Sequence, residues 1–173
     1  MKTIHIGWVL AAMLSGCTAV AHDTGPSDAQ IAAIVVTANQ VDIDAGKLAV
    51  SRSGSMDVKD FANLMIRDHS AVNRSATELV QKLNVTPQPS QTSRDLQAGG
   101  DSNLATLKGL KGSAFDKAYV NHEVSYHEAV IKALDNTLIP HADNADLKAL
   151  LVKVRPAFVA HLEHARHLQG RLK

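Results

Sequence analysis

Four long stretches of this chain repeat apolar residues every three or four positions, and no stretch of any length alternates apolar with polar residues. That period puts each apolar set on one face of an α-helix, so an all-α fold is expected. The clearest stretch covers residues 118–138, whose stripe reads Val120, Val124, His127, Ile131, Leu134, Leu138. A histidine thus sits in the middle of an otherwise aliphatic face. Glu123, one turn earlier, lies on nearly the same face.

The other stretches follow the same rule. A first helix is expected from Asp28, capped by Ser27 or Asp28 itself, to about Ser51. It turns inward Ile31, Ile34 or Val35, Ala38, Val41 or Asp42, Ala45, and Leu48 or Ala49. Ser53-Gly54-Ser55 is a short breaker, so the second helix, over residues 57–83, should return antiparallel. Its stripe is Val58, Ala62, Met65, His69, Val72, Ala76, Leu79, Leu83. From Val85 to Gly112 the pattern weakens at Pro87, Pro89, Gly99, Gly100, Gly109 and Gly112. Short helical pieces are expected there, at residues 92–97 and 104–110, inside one long crossover. A third helix covers residues 113–137, with Pro140 expected to stop it. A fourth runs from Asp143 or Asn144 to about Leu172, with Leu147, Leu151, Val154, Phe158, His161, Ala165 and Leu168 inward. Pro156 lies inside it and should kink it. Two antiparallel pairs joined by a crossover between helices two and three is the connectivity of ferritin-like four-helix bundles. A plain up-down bundle with a wandering crossover is the alternative.

Aromatic residues make up only 3% of the 173 residues, which fits a helical chain of one domain. A net charge of +1 gives no steering towards nucleic acid, and none is expected as a partner. The amino terminus has the form of a targeting segment. Lys2 precedes a short apolar run from Ile4 to Leu14, well under the roughly 20 residues a spanning helix needs. The run ends in Leu14-Ser15-Gly16-Cys17, around the single cysteine of the chain. That ending resembles the bacterial lipoprotein signal, in which cleavage exposes a cysteine for lipidation. Residues 1–16 are therefore read as a signal peptide, residues 17–27 as a lipidated tether, and residues 28–172 as the domain. Lipidation at Cys17 would make the membrane a partner and put the protein in the periplasm. Thr18, not aspartate, follows the cysteine, which points to the outer membrane. Protein partners are left open.

Helices two, three and four each bring one core-face histidine, His69, His127 and His161, and helix one offers Asp42, or Asp44 if rotated. Imidazoles and carboxylates inside a bundle are donors for a transition metal such as zinc, copper or iron. Counting from the Pro140 loop sets His161 level with His122 and Glu123 and leaves His127 roughly 9 Å nearer the loop. One layer and two separate layers both remain open. Asp68, adjacent to His69, points about a quarter-turn away. The ferritin-like di-iron pattern of Glu-x-x-His on two helices is absent, and no nucleophile elbow or phosphate loop is present. The simpler reading makes each histidine a polar core residue that fixes helix register.

Several segments resemble one bacterial family. They are Val41-Asp42-Ile43-Asp44-Ala45-Gly46-Lys47-Leu48-Ala49, the run from Phe61 to Asn73 with its Asp68-His69 pair, Phe115-Asp116-Lys117-Ala118-Tyr119-Val120, His127-Glu128, and Arg155-Pro156 leading to His161-Leu162. Together they are similar to the domain-of-unknown-function family 4142, ferritin-like bacterial envelope proteins often labelled putative outer-membrane protein. The resemblance spans residues 28–168. It implies an exported helical bundle with polar signature positions at Asp68, His69, His127 and His161, and it implies no settled activity. Asp42 and Asp44 stand where the family usually has glutamate. The functional expectation is a lipid-anchored helical domain, more in keeping with metal storage, buffering or stress response than with an enzyme. A structural or interaction module of the envelope is the alternative.

Overall fold

The computed structural model describes residues 25–172, and among these there is no strand. The expected signal peptide and Cys17 lie outside the described residues. Helix α1 (Asp28–Arg52) starts at a capping box in which Ser27 and Gln30 satisfy one another's amide groups. Ser53-Gly54-Ser55 then reverses the chain, and Ser55 caps α2 (Met56–Lys82). The turn is held from across the molecule, because Ser53 Oγ donates to the buried Asp116 Oδ1 at 2.5 Å.

The crossover is more ordered than its composition suggests. A single helix, α3 (Gln91–Lys108), runs straight through Gly99 and Gly100 where two short pieces were expected. Glycine lowers helix propensity by about 1 kcal/mol relative to alanine, and packing overrides that here. Gly100 is buried against α1, where a Cβ would come within 2.7 Å of Val41 Cγ2. The missing side chain is what lets α3 lie on α1.

Helix α4 (Gly112–Ala133) continues as a π-helical turn (Leu134–Leu138) and the short α5 (Ile139–His141) before α6 (Ala145–Arg171), which Asn144 caps. Pro140 therefore does not stop the third helix. The Ile139 N–H reaches back five residues to the Leu134 carbonyl. This wider turn relieves the crowding that a proline ring imposes on the preceding turn. Pro156 lies within α6, which continues for four turns beyond it.

Helix α1 packs on α2 and α4 on α6, while α2 meets α6 and α3 covers α1. The apolar core falls into two clusters. One gathers Ala45, Phe61, Met65, Phe115, Tyr119 and Leu168. The other gathers Ile31, Val35, Leu134, Leu151 and Phe158. Between the two clusters lie buried polar residues from all four of these helices: Asn39 and Asp42 on α1, His69 on α2, Glu123 and His127 on α4, and His161 on α6. The polar layer is thus closed by hydrophobic packing above and below.

Candidate metal centre

The three core histidines converge. Their ring centroids lie 5.3–5.5 Å apart pairwise, and each is at most 3% exposed. One ring nitrogen from each lies within 4.8 Å of the others. A tetrahedral metal with bonds near 2.0–2.1 Å holds its donors about 3.3 Å apart, so those nitrogens need to close by at most about 1.5 Å.

Each ring has one nitrogen engaged from outside the cluster. Asn39 Nδ2 donates to the Val35 carbonyl at 2.8 Å, so its Oδ1 is the acceptor facing His69 Nδ1 at 2.7 Å. His69 Nδ1 therefore carries the proton. His127 Nδ1 donates to the Glu123 carbonyl at 3.0 Å, and His161 Nε2 donates to Asp68 Oδ2 at 3.0 Å. The nitrogens left over are His69 Nε2, His127 Nε2 and His161 Nδ1, and all three are buried without a hydrogen-bond partner among the described residues. Orientation of an imidazole by an outer acceptor, with the other nitrogen free, is how proteins prepare histidine to ligate a metal.

Asp42 completes the layer. Its Oδ2 lies 3.2 Å from His69 Nε2 without the alignment of a hydrogen bond, and 3.6 Å from His127 Nε2, beyond hydrogen-bond reach. Both Asp42 oxygens and both Glu123 oxygens are buried and have no hydrogen-bond partner among the described residues. Glu123 Oε2 is 3.6 Å from His127 Nδ1, so Asp42, Glu123 and His127 form a second close group. Two buried carboxylates without a counter-charge are costly as anions. Burial raises the Asp42 carboxyl to about 8, and burial together with Asp42 pushes Glu123 well up. Burial lowers the imidazoles, His127 to about 4 and His69 well below the usual range. The rings are neutral with lone pairs inward, as a metal requires.

The remaining candidates fall outside this layer. Asp68 is partly exposed, and its bonds from Arg67 and His161 outweigh partial burial and hold its carboxyl below the usual value. It orients His161 from outside. His122 does not face His161; its ring stacks on Tyr126 with centroids 5.5 Å apart. Counting from Pro140 misplaced it, because the helix continues to His141 and the reversal centres near Asp143. His127 precedes Asp143 by 16 residues and His161 follows it by 18, which makes them level to within roughly 3 Å. Asp44 bonds Gln40 and Lys47 at the surface. Sequence reasoning missed Asn39. Its only signal was a spacing of three from Asp42 on one helix face.

A family model described as a domain of unknown function, DUF4142, matches residues 15–168. The chain belongs to the DUF4142 family. No curated protein and no solved structure matches the chain. Within this DUF4142 chain the segments that carried the family resemblance include Asp42, Asp68, His69, His127 and His161, all placed in or against the polar layer.

Proposed function

We propose that this DUF4142 protein is an exported, lipid-anchored, ferritin-like four-helix domain that binds a transition metal in its core. His69 Nε2, His127 Nε2, His161 Nδ1 and Asp42 are the ligands, and Glu123 lies beside them. Zinc, copper and iron accept this donor set. Storage, buffering or stress response suits a centre closed by packing on both sides better than turnover does. The ferritin-like assignment rests on two helix pairs joined through α3. The lipid anchor rests on Leu14-Ser15-Gly16-Cys17.

One observation carries the metal: three buried imidazoles, each with its outer nitrogen engaged, leave three lone pairs and an unpaired carboxylate facing one another. The test is elemental analysis of the full chain purified without chelator, beside His69→Ala, His127→Ala and His161→Ala. Bound metal in the wild type, reduced in each variant, is expected, together with a melting temperature raised by that metal. No bound metal, and melting unchanged by zinc, copper and iron, would overturn the reading. Acyl labelling of the wild type but not of Cys17→Ser tests the anchor separately.

A second reading keeps the layer free of metal, as a polar core in a structural or interaction module of the envelope. The raised Asp42 carboxyl favours it, since a protonated Asp42 beside His69 Nε2 offsets charge without an ion. On that reading each His→Ala change costs about 1–3 kcal/mol through stranded partners and no metal restores it.

A further inference from the structure

Beside the polar layer, on the Asn39 side of His69, lies a cavity of about 360 Å³ bounded by α1, α3, α4, the π turn and α6. Its walls are mostly aliphatic and aromatic, with Val35, Leu96, Leu134, Leu151 and Phe158 among them. Among the described residues, no Lys, Arg, Asp or Glu lines it. Of its polar lining groups, Asn39 donates to the Val35 carbonyl and accepts from His69, and the Tyr126 hydroxyl donates to the Ala38 carbonyl at 2.8 Å. Thr92, which is exposed, and Thr137, which is half-buried, bring hydroxyls without a protein hydrogen-bond partner among the described residues to the wall.

Cavities of roughly 150 Å³ lined by Leu, Ile and Phe admit benzene, and small-molecule pockets generally begin near 300 Å³. A volume of 360 Å³ therefore suits a body of two fused rings, or an alkyl chain of comparable bulk. A charged ligand would enter without a counter-ion and lose its hydration, which costs more than apolar contact returns.

We infer that this cavity is a binding site for a neutral, predominantly apolar small molecule with one or two hydrogen-bonding atoms directed to Thr92 and Thr137. The site stands independently of the metal. It abuts Asn39 and His69 from outside the polar layer, so an occupant touches the groups that orient His69.

The test is equilibrium dialysis of the full chain against two probes of equal size, 2-acetylnaphthalene, which is neutral, and 2-naphthoate, which is anionic. One equivalent of the ketone is expected to bind, with naphthoate at least about tenfold weaker, a difference of roughly 1.4 kcal/mol. Ala133→Phe, which fills the cavity from α4, should weaken the ketone at least about tenfold, with helicity and melting temperature retained. If that variant fails to fold, Leu96→Trp fills the cavity from α3 and is read instead. A neutral apolar compound found by solvent extraction and mass spectrometry of the purified protein would also support the site. Failure of the ketone to bind, equal binding of both probes, or binding that a folded cavity-filling variant leaves unchanged would overturn it.

Discussion

Asn39 Oδ1 accepts the Nδ1 proton of His69 at 2.7 Å, and this one bond decides which nitrogen of His69 faces Asp42. The direction is fixed one step further out, because Asn39 Nδ2 is committed to the Val35 carbonyl of its own helix. A backbone group of α1 thus sets the tautomer of a ring on α2. The centre is organised from its surroundings inward.

Asn39→Leu removes that acceptor while preserving bulk. The His69 N–H is then buried and unpaired, at a cost of about 1–3 kcal/mol. Metal affinity should fall by about 10–100-fold, the usual effect of losing an outer partner of a ligand histidine. Urea unfolding of the metal-free protein measures the first effect, and a competitive chelator titration measures the second. Unchanged affinity would show that Asn39 does not set the ligand tautomer.

Asp68→Asn separates orientation from stability. Asp68 is partly exposed, so its loss should alter folding by less than about 1 kcal/mol. The amide can present either its oxygen or its nitrogen to His161 Nε2, so the tautomer is held less firmly and affinity should drop by about tenfold. Chelator competition checks this, with circular dichroism as the folding control.

The metal-free protein should lose stability as pH rises from about 6.5 to about 8. The buried histidines have folded values below the ordinary 6.5, so their stabilising contribution is complete above 6.5 and is lost as pH falls through the lower folded value, about 4 for His127. The raised Asp42 carboxyl acts in the opposite sense: its contribution is complete below the ordinary 3.8 and is lost as pH rises to about 8. Below 6.5 the two trends oppose one another, and above it only the carboxyl trend remains. Asp42 alone should account for a fall on the order of 2 kcal/mol across that upper window. Glu123, whose carboxyl burial also raises, adds to the fall, so Asp42→Asn should reduce it and Asp42→Asn combined with Glu123→Gln should flatten it. Urea unfolding at a series of pH values tests both statements, and a wild-type stability that is level or rising between pH 6.5 and 8 would contradict them.

The neighbouring glycines of α3 should respond in opposite directions. Gly99 is exposed with nothing within 4 Å of an added Cβ, so Gly99→Ala should stabilise by up to about 1 kcal/mol through helix propensity. Gly100→Ala would press on Val41 at 2.7 Å and should destabilise by about 1–3 kcal/mol. Thermal melts of the two variants decide it. Stabilisation by both would mean that α3 is not seated on α1 through Gly100.

The stripes read from the sequence correspond closely to the buried faces. Val58, Ala62, Met65, His69 and Ala76 on α2, and Leu147, Leu151, Phe158, His161, Ala165 and Leu168 on α6, are all buried. Helical period is a local property, and these faces follow from it. The crossover was misjudged for a corresponding reason: Gly99 and Gly100 weaken helix locally, and the contact that offsets this is with Val41, far away in the chain.

The sequence by itself determined an all-helical fold, the family, and a histidine on the inner face of three helices, because a spacing of three or four residues selects a face whatever that face later meets. Only the tertiary structure decided that His127, not His122, stands level with His161, since that depends on a π turn carrying the helix past Pro140. It also decided which nitrogens are free. Asn39, the Glu123 carbonyl and Asp68 reach the rings of His69, His127 and His161 through packing of separate helices and the path of the backbone, and neither residue type nor spacing encodes the direction of a hydrogen bond.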